Sequence, residues 1–219
     1  IETYHIPSEK IVTIPHCADS ETFKYSEKGR SSIRNKYDIP DESVVLTFVG
    51  KLDYIPNITA VKHITEKIYP AVLERHPRSK FFIIGQNYES LLSYRKSNII
   101  FTGYVAPNEL PNYLSASDIV LVPLDSGSGT RLKTLEAASC SRSMVSTQKG
   151  AEGQDFVHEK EIMLTKSVDD EFLDCVLKLM EDEELRKKIG RNARKKIEEK
   201  YSWKKVVERF EAVYDKILN

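Results

Sequence analysis

The sequence is poor in cysteine and lacks any long apolar run. Its three cysteines, Cys17, Cys140 and Cys175, show neither the spacing of metal ligands nor the even number of a disulfide framework. Free cysteines are typical of a reducing compartment, so we expect a cytoplasmic protein. No run approaches the ~18 consecutive apolar residues of a membrane-spanning helix, so we expect no integral membrane span.

The chain also has no excess of positive charge that could bind a polyanion. Lys plus Arg number 33 and Asp plus Glu number 33, which gives a formal net charge of zero. Nucleic acids and anionic membranes bind proteins that carry an excess of basic residues, so we expect no nucleic-acid partner. Any anion site must therefore be formed by a local group of residues. With 219 residues, 40% of them hydrophobic, the chain can bury the core of one large domain or two small ones.

Short apolar runs alternate with amphipathic segments along most of the chain. Continuous apolar runs of four to six residues are typical of strands buried on both faces. We predict such strands at residues 44–50, 80–85, 98–103, 118–123, 143–147 and 161–165. Helices are predicted between them. The alternation indicates an α/β fold, a Rossmann-like parallel sheet with right-handed crossovers and helices on both faces.

Other segments carry weaker local signals. Residues 10–23 are interpreted as a short strand followed by a loop, and residues 24–40 as a surface connection with a short helix. Asn57 is predicted to cap the first crossover helix, and Pro70 to kink or break it near Tyr69. Three closing helices are predicted from apolar faces at Phe172, Val176 and Leu179; at Leu185, Ile189, Ala193 and Ile197; and at Trp203, Val207, Phe210, Val213 and Ile217.

In an open parallel sheet, ligands bind beyond the carboxyl ends of the strands. Glycine lets the backbone approach a ligand closely, and it occurs after five of the predicted strands. The loops concerned are Gly50-Lys51, Gly85-Gln86, Gly103-Tyr104, Ser126 to Thr130, and Lys149 to Gly153. Lys51 either meets a phosphate or is an ordinary surface lysine.

The stretch "SGSGTRLKTLE", residues 126–136, carries the most specific pattern. Gly127 and Gly129 would let amide groups converge at a helix start, where the helix dipole favours an anion. Lys133 adds a positive charge, and the Glu136 carboxylate could accept both hydroxyls of a vicinal diol. A phosphate and a diol together describe a nucleotide. Alternatively, the loop only turns the chain and Lys133 pairs with Glu136, worth roughly 0.2–0.5 kcal/mol. Neither a Walker A loop nor a GxGxxG fingerprint is present.

Six stretches match one family pattern in order. They are "IPSEKIVTIPHCADSETF", "VGKLDYIPNITAV", "FFIIG", "IIFTGYVAPNELPNYLSASDIVLVPL", "GSGTRLKTLEAASCSRSMVSTQKGAEG" and "RKKIEEKYSWKKVVERFEAVY". The second resembles V-G-x-L-x-Y-x-P-N and the fifth resembles G-x-G-T-R-L-K-x-L-E-A-M-A-x-G-x-P-V-V-S-T-x-x-G-A-E-G. Over nearly its whole length, the chain resembles the C-terminal, donor-binding half of a retaining glycosyltransferase of the GT-B fold, glycosyl transferases group 1 (family four).

The resemblance implies a nucleotide-sugar site. Lys51 would meet the diphosphate, Glu136 the ribose, and the backbone near Tyr104 and Val105 the base, while Lys133 would lie beside the phosphates and sugar. Catalytic roles are thus expected for Lys51, Lys133 and Glu136. The implied donor-contacting set is Gly50, Lys51, Gly85, Tyr104, Val105, Gly127, Ser128, Gly129, Thr130, Arg131, Leu132, Lys133 and Glu136. The donor would be a UDP-, GDP- or other nucleoside-diphosphate sugar, with no cofactor and no metal.

The chain departs from the family pattern at four places. Ser128 stands where many members have a glutamate that touches the donor sugar. Residues 16–19 read H-C-A-D instead of N-G-V-D, and residues 139–143 read S-C-S-R-S instead of A-x-G-x-P. A second phosphate-binding lysine, common in the family, would fall near Pro56 and is expected to be absent.

The resemblance also implies the domain organisation. Residues 1–40 would be a strand and linker leading in from a missing N-terminal acceptor domain. Residues 41–200 would bind the donor, and the helix in 201–219 would reach back toward that domain, leaving some apolar surface exposed. The glycan or lipid-linked acceptor would bind the missing domain, so the fragment should bind donor but transfer poorly, and the full-length protein could sit at the inner membrane face. Two alternatives remain, a nucleotide-sugar epimerase and a degenerate GT-B binding or assembly module.

Overall fold

A computed structural model describes residues 6–218 of the chain. Six strands form one parallel sheet, and each matches a predicted strand to within two residues at either end. They are β1 (Val45–Val49), β2 (Lys80–Ile84), β3 (Ile99–Gly103), β4 (Ile119–Val122), β5 (Ser143–Thr147) and β6 (Met163–Thr165). The strand order is β3-β2-β1-β4-β5-β6, which is the doubly wound order with its switch point between β1 and β4. The predicted fold class is confirmed.

Helices cover both faces of this sheet. They are α1 (Glu27–Lys36), α2 (Ile55–His63), α3 (Tyr69–Arg75), α4 (Leu110–Ala116), α5 (Leu132–Ser139), α6 (Asp170–Glu181), α7 (Glu183–Lys196) and α8 (Trp203–Leu218). Alternate residues of β2 face opposite cores. Phe82 and Ile84 pack with α1 and α4, whereas Phe81 and Ile83 belong to the larger core on the other side. None of the helices within residues 6–218 combines the length and apolar character that a bilayer crossing requires.

The predicted kink or break at Pro70 takes the form of a local π turn, and the helix is not broken. The chain stays helical from α2 to α3 through a π turn, Ile64–Ile68. The Tyr69 amide donates to the carbonyl of Ile64, five residues earlier, and this wider turn makes room for a proline that has no amide hydrogen. The apolar stripe is confirmed, because Val61, Ile64, Ile68 and Val72 are fully buried.

The predicted strand near the start of the chain is wrong, whereas the predicted short helix is present as α1. Residues 10–23 form no strand of the sheet, and Ala18 makes only an isolated bridge to Ser202. Ile11 and Val12 stay exposed, because no strand of the sheet packs beside them. Residues 24–40 are more than a surface connection, because α1 carries a buried Arg34 whose guanidinium donates to Asp118 at 2.7 Å and to four backbone carbonyls. Residues 1–5 of the predicted N-terminal strand and linker, residues 1–40, lie outside the described residues.

The altered stretch 139–143 forms a regular turn at the end of α5. The Arg142 amide donates to the Ala137 carbonyl and the Ser141 amide to the Ala138 carbonyl, which is the Schellman arrangement at the end of α5. Ser141 occupies the left-handed position with φ 57°, where the family pattern has glycine. The serine therefore ends α5 and delivers the chain into β5, at some cost in backbone strain.

The closing helices bury different amounts of their apolar faces. Phe172, Val176 and Leu179 of α6 and Ile189 and Ala193 of α7 are fully buried, as predicted. In α8 the apolar face is largely exposed, and the exposed fraction of Trp203 is 60% and that of Phe210 is 47%. The predicted exposure of apolar surface in this helix is confirmed.

Candidate functional site

The loops that follow β1, β2 and β3 contact one another at the carboxyl edge of the sheet. Gly50 donates its amide to Ile84 at 2.9 Å, and Gly85 donates its amide to Gly103 at 3.1 Å. A Cβ at Gly85 would lie 1.8 Å from the Gly50 carbonyl oxygen, and the φ of Gly85 is 158°. Only glycine fits this close approach, so Gly85 holds the loops of β1 and β2 together.

Lys133 reaches across the switch point from α5 to α2. Its ammonium donates to Oδ1 of Asn57 at 2.9 Å and lies 4.3 Å from the ring centroid of Phe48. The amide nitrogen of the same Asn57 donates to the Lys51 carbonyl at 2.8 Å. The loop after β1, the start of α2 and the start of α5 are therefore joined through one side chain.

This contact corrects two interpretations of the sequence. Asn57 does not cap α2, because the helix begins at Ile55 and Asn57 is a buried residue of its first turn. Lys133 and Glu136 do not form the predicted alternative ion pair, since the lysine turns to Asn57. Pro56 lies near the position where the family pattern has a second phosphate-binding lysine. The Lys133 ammonium donates to Asn57, the residue that follows Pro56.

Burial shifts the pKa of Lys133 and of Glu136 in opposite directions. Desolvation, together with a smaller effect of nearby Arg131, lowers the pKa of Lys133 to about 7, and Glu136 offsets part of this shift. Desolvation raises the pKa of Glu136, and Lys133 opposes the shift. Within residues 6–218, no hydrogen bond or ion pair reaches the Glu136 carboxylate. Its oxygens are therefore available to hydroxyl donors.

Arg131 holds the glycine loop against the loop that follows β5. Its Nη1 donates to the Ser128 carbonyl at 2.7 Å and its Nε to the Lys149 carbonyl at 3.4 Å. Gly127 and Gly129 adopt φ values of 107° and 81°, which glycine tolerates at little cost. The second terminal nitrogen of Arg131, Nη2, is buried without a partner in the described part of the chain.

The remaining predicted residues are placed around this centre with different exposures. Lys51 is exposed and its ammonium lies 3.3 Å from Asp53. Tyr104 follows β3 with an exposed fraction of 68%, and Val105 is partly buried. Ser128 and Thr130 are exposed in the glycine loop, and Leu132 is 41% exposed at the start of α5. Every predicted site residue thus lies at the carboxyl edge of the sheet or at the start of α5.

Sequence reasoning missed three polar residues of this region. Asn57 was taken for a cap, although Pro56 in the first turn signals an earlier helix start. His63 contacts Asp125 at 2.5 Å and ties α2 to the loop after β4. Gln154 donates to the Arg131 carbonyl at 3.0 Å. No local sequence pattern predicts a contact between residues so far apart in the chain.

The charged cavity at the opposite edge of the sheet is structural. It measures about 310 Å³, and Arg30, Asp118 and Arg142 are among its lining residues. Asp118 accepts from Arg30 and Arg34 and also from the Val45 amide, so its carboxylate is already engaged within the fold. Ligand chemistry is better supported at the carboxyl edge, where Lys133 and Glu136 have no ionic partner at contact distance.

Comparisons with known proteins agree with this architecture. The family "Glycosyl transferases group 1" matches residues 43–182. A Methanocaldococcus jannaschii protein named "Uncharacterized glycosyltransferase MJ1069" is 30% identical over 210 residues, covering 91% of this chain and 50% of its own length. The chain spans about half the length of the curated relatives it matches.

Solved structures share the fold. The C-terminal domain of the Francisella tularensis glycosyl transferase group 1 protein LpcC has a TM-score of 0.66 and 23% identity, covering 85% of this chain and 99% of that domain. Anabaena HepE in complex with UDP and glucose has a TM-score of 0.80 and 15% identity, covering 98% of this chain and 59% of that one. The family resemblance of the motifs is confirmed: the chain belongs to the glycosyl transferases group 1, with the fold of their C-terminal domain.

Proposed function

We propose that this chain binds a nucleoside-diphosphate sugar at the carboxyl edge of β1 and β4. In the complete protein, it would serve retaining transfer of a hexosyl group to a sugar, lipid or polysaccharide acceptor. The observation that carries the proposal is the pair of unmatched charges on α5. Lys133 presents an ammonium beside the β1 loop, and Glu136 presents a carboxylate with no hydrogen-bond partner within residues 6–218.

The two charges suit the two ends of a nucleoside diphosphate. Negative charge grows on the diphosphate as the glycosidic bond breaks, so cations placed there stabilise the transition state. Lys133, Lys51 and the amides at the start of α5 would provide that charge without a metal in this proposal. Glu136, one turn further along α5, would accept the two ribose hydroxyls. The solved complex of HepE with UDP and glucose supports a donor of this class.

The acceptor side is proposed to lie in another part of a longer protein. The chain spans about half of its curated relatives, and its motifs resemble the donor-binding half of the family. We therefore expect the chain by itself to bind donor without efficient transfer. We also propose that the full-length protein lies at the inner face of the membrane.

Calorimetry with nucleoside diphosphates tests the proposal. UDP, GDP, ADP and TDP, with CMP for comparison, would be titrated into the chain and into the variants Glu136→Ala and Lys133→Ala. We expect one nucleoside diphosphate to bind, to stabilise by about 2.7 kcal/mol at 100 times its Kd, and to bind both variants more weakly. Lys188→Ala, an exposed lysine of α7, is the matched control and should bind like the wild type.

Other outcomes would favour the competing functions. Failure of every nucleotide to bind would contradict the donor-site proposal and favour a degenerate binding module. Conversion of a free nucleotide sugar in the absence of acceptor would favour an epimerase. The calorimetric panel and a chromatographic assay of the free sugar nucleotide therefore separate the three functions.

A further inference from the structure

We propose that Asn57 is a positioning residue that holds the Lys133 ammonium where it meets the donor phosphates. The inference rests on the proposed function and adds to it a role for Asn57, the last residue of the motif V-G-x-L-x-Y-x-P-N. Asn57 Oδ1 accepts from Lys133 Nζ at 2.9 Å, and Asn57 Nδ2 donates to the Lys51 carbonyl at 2.8 Å. These two bonds connect the two predicted phosphate-binding lysines.

The chemistry of the partners establishes which way the carboxamide points. An ammonium only donates and a carbonyl only accepts, so the amide oxygen must face Lys133 and the amide nitrogen must face Lys51. The reversed orientation would lose both hydrogen bonds. The Asn57 side chain thus links the Lys133 ammonium on α5 to the Lys51 carbonyl in the β1 loop.

Asn57 is itself held tightly. Its exposed fraction is 7%, and it lies in the first turn of α2. A Cβ on Gly50 would come within 2.8 Å of the Asn57 carboxamide carbon, so the glycine leaves space for the side chain and nothing larger. The contact with Lys133 therefore comes from a rigid part of the fold.

Lys133, in contrast, has little else to hold it. A lysine side chain loses rotamer entropy when it is ordered. Its ammonium has no carboxylate within ion-pair distance in the described chain, and its other close neighbour is the Phe48 ring at 4.3 Å. A neutral acceptor fixes the direction of the ammonium but leaves its charge uncompensated, which is what a phosphate ligand requires.

Few charged groups compete for this position. Arg131 and Glu136 act on Lys133 from α5 itself, and neither is its hydrogen-bond partner. In the first turns of α2, Asn57 is followed by uncharged residues, and the charged Lys62 and His63 occur only at its end. In the β1 loop, the charged side chains of Lys51 and Asp53 pair with each other.

A double-mutant cycle tests the coupling with UDP as the probe, or with the diphosphate that the panel identifies. Asn57→Leu removes both hydrogen bonds at similar volume, and Lys133→Met removes the charge. We expect each single substitution to weaken binding about tenfold or more, because each removes a charge-assisted contact. The double variant should be no more than about twofold weaker than Lys133→Met, since the effects share one contact. Additive losses would overturn the inference.

The chain offers a matched control at the opposite edge of the sheet. Asn98 Oδ1 accepts from Lys80 at 3.1 Å, and its Nδ2 donates to the Pro77 carbonyl at 3.0 Å. This copies the chemistry of Asn57 outside the candidate site. Asn98→Leu should leave UDP affinity within about twofold of the wild type. A loss equal to that of Asn57→Leu would show general destabilisation and overturn the inference.

Asn57→Asp provides a second readout that does not depend on the folding of Asn57→Leu. The carboxylate keeps the acceptor for Lys133 and favours the charged ammonium. The pH above which UDP binding weakens should therefore move upward by about one unit or more, whatever the absolute affinity. An unchanged pH profile would overturn the inference. Failure of the wild type to bind any nucleoside diphosphate would instead reject the proposed function on which it rests.

Discussion

Burial makes Lys133 a weakly basic lysine in the ligand-free chain. Desolvation and the neighbouring Arg131 lower its pKa to about 7, while Glu136 offsets only part of the shift. In the unfolded chain, the same side chain would keep the usual lysine pKa of about 10.4. The folded chain therefore binds fewer protons than the unfolded chain between those two values. A bound diphosphate would reverse this, because two negative phosphates favour the ammonium.

At this residue scale, we predict that Lys133→Met raises the free energy of unfolding at pH 7 by about 1 kcal/mol. Stability of the wild type should rise with pH from about 7 toward 10 relative to the variant, because the unfolded state holds the extra proton in that window. Urea unfolding of both proteins at pH 6, 7, 8 and 9 measures the difference. A gap that does not shrink as pH rises would contradict the lowered pKa.

A matched pair of measurements links this residue to function. Lys133→Met should gain stability and lose nucleotide affinity, which is the trade-off expected of a charge kept unpaired for a ligand. Lys188→Met on α7 should change neither property, because Lys188 is exposed.

At the scale of one element, α5 is strained at its end rather than at its start. Ser141 adopts φ 57° in the Schellman turn, and its hydroxyl has no partner within the described residues. A side chain in this conformation costs roughly 1–2 kcal/mol relative to the ordinary helical conformation, and glycine avoids that cost. The departure from the family pattern changes the stability of the turn and leaves its geometry intact.

We predict that Ser141→Gly stabilises the chain by about 0.5–1 kcal/mol, after the added flexibility of the unfolded chain is subtracted. Thermal unfolding followed by circular dichroism should show a Tm higher by about 1–4 °C for a chain of this size. Ser141→Ala is the control, since it removes the hydroxyl but keeps Cβ, and its Tm should stay near that of the wild type. Equal gains from both substitutions would show that strain at this position is not the cause.

At the scale of the whole molecule, α8 leaves a long apolar face uncovered. Along one face of the helix, Trp203, Phe210 and Ile217 are 60%, 47% and 73% exposed. Contiguous apolar patches of this kind promote association in soluble proteins. The rest of the core is closed, so association should leave the sheet and the candidate site unchanged.

We predict that the isolated chain self-associates in a concentration-dependent manner through α8. Phe210→Asp should shift the protein toward monomer in sedimentation velocity runs, because it places a charge in the apolar face. Ala212→Asp adds the same charge on the other side of the helix and should keep the wild-type behaviour. A wild type that remains monomeric at all concentrations up to about 100 μM would contradict the prediction.

Local patterns were sufficient for the elements that bury continuous apolar runs. All six strands of the sheet agree with the sequence prediction. A continuous apolar run such as residues 44–50 can bury the side chains on both of its faces when it forms a central strand of a parallel sheet. The short strand predicted within residues 10–23 does not form, because no neighbouring strand accepts its hydrogen bonds. The π turn before Pro70 also escaped, because the same apolar stripe fits an α-helix and a locally widened one.

The sequence was enough to specify the strands, the glycine loops at their carboxyl ends and the family to which the chain belongs. Each of these depends on residues that are close along the chain or on an ordered set of motifs. The strand order was needed to bring Lys133 to Asn57, 76 residues away. It was also needed to desolvate Lys133 and Glu136. The physical reason is that burial and electrostatic coupling depend on which elements become neighbours, and local periodicity carries no information about that choice.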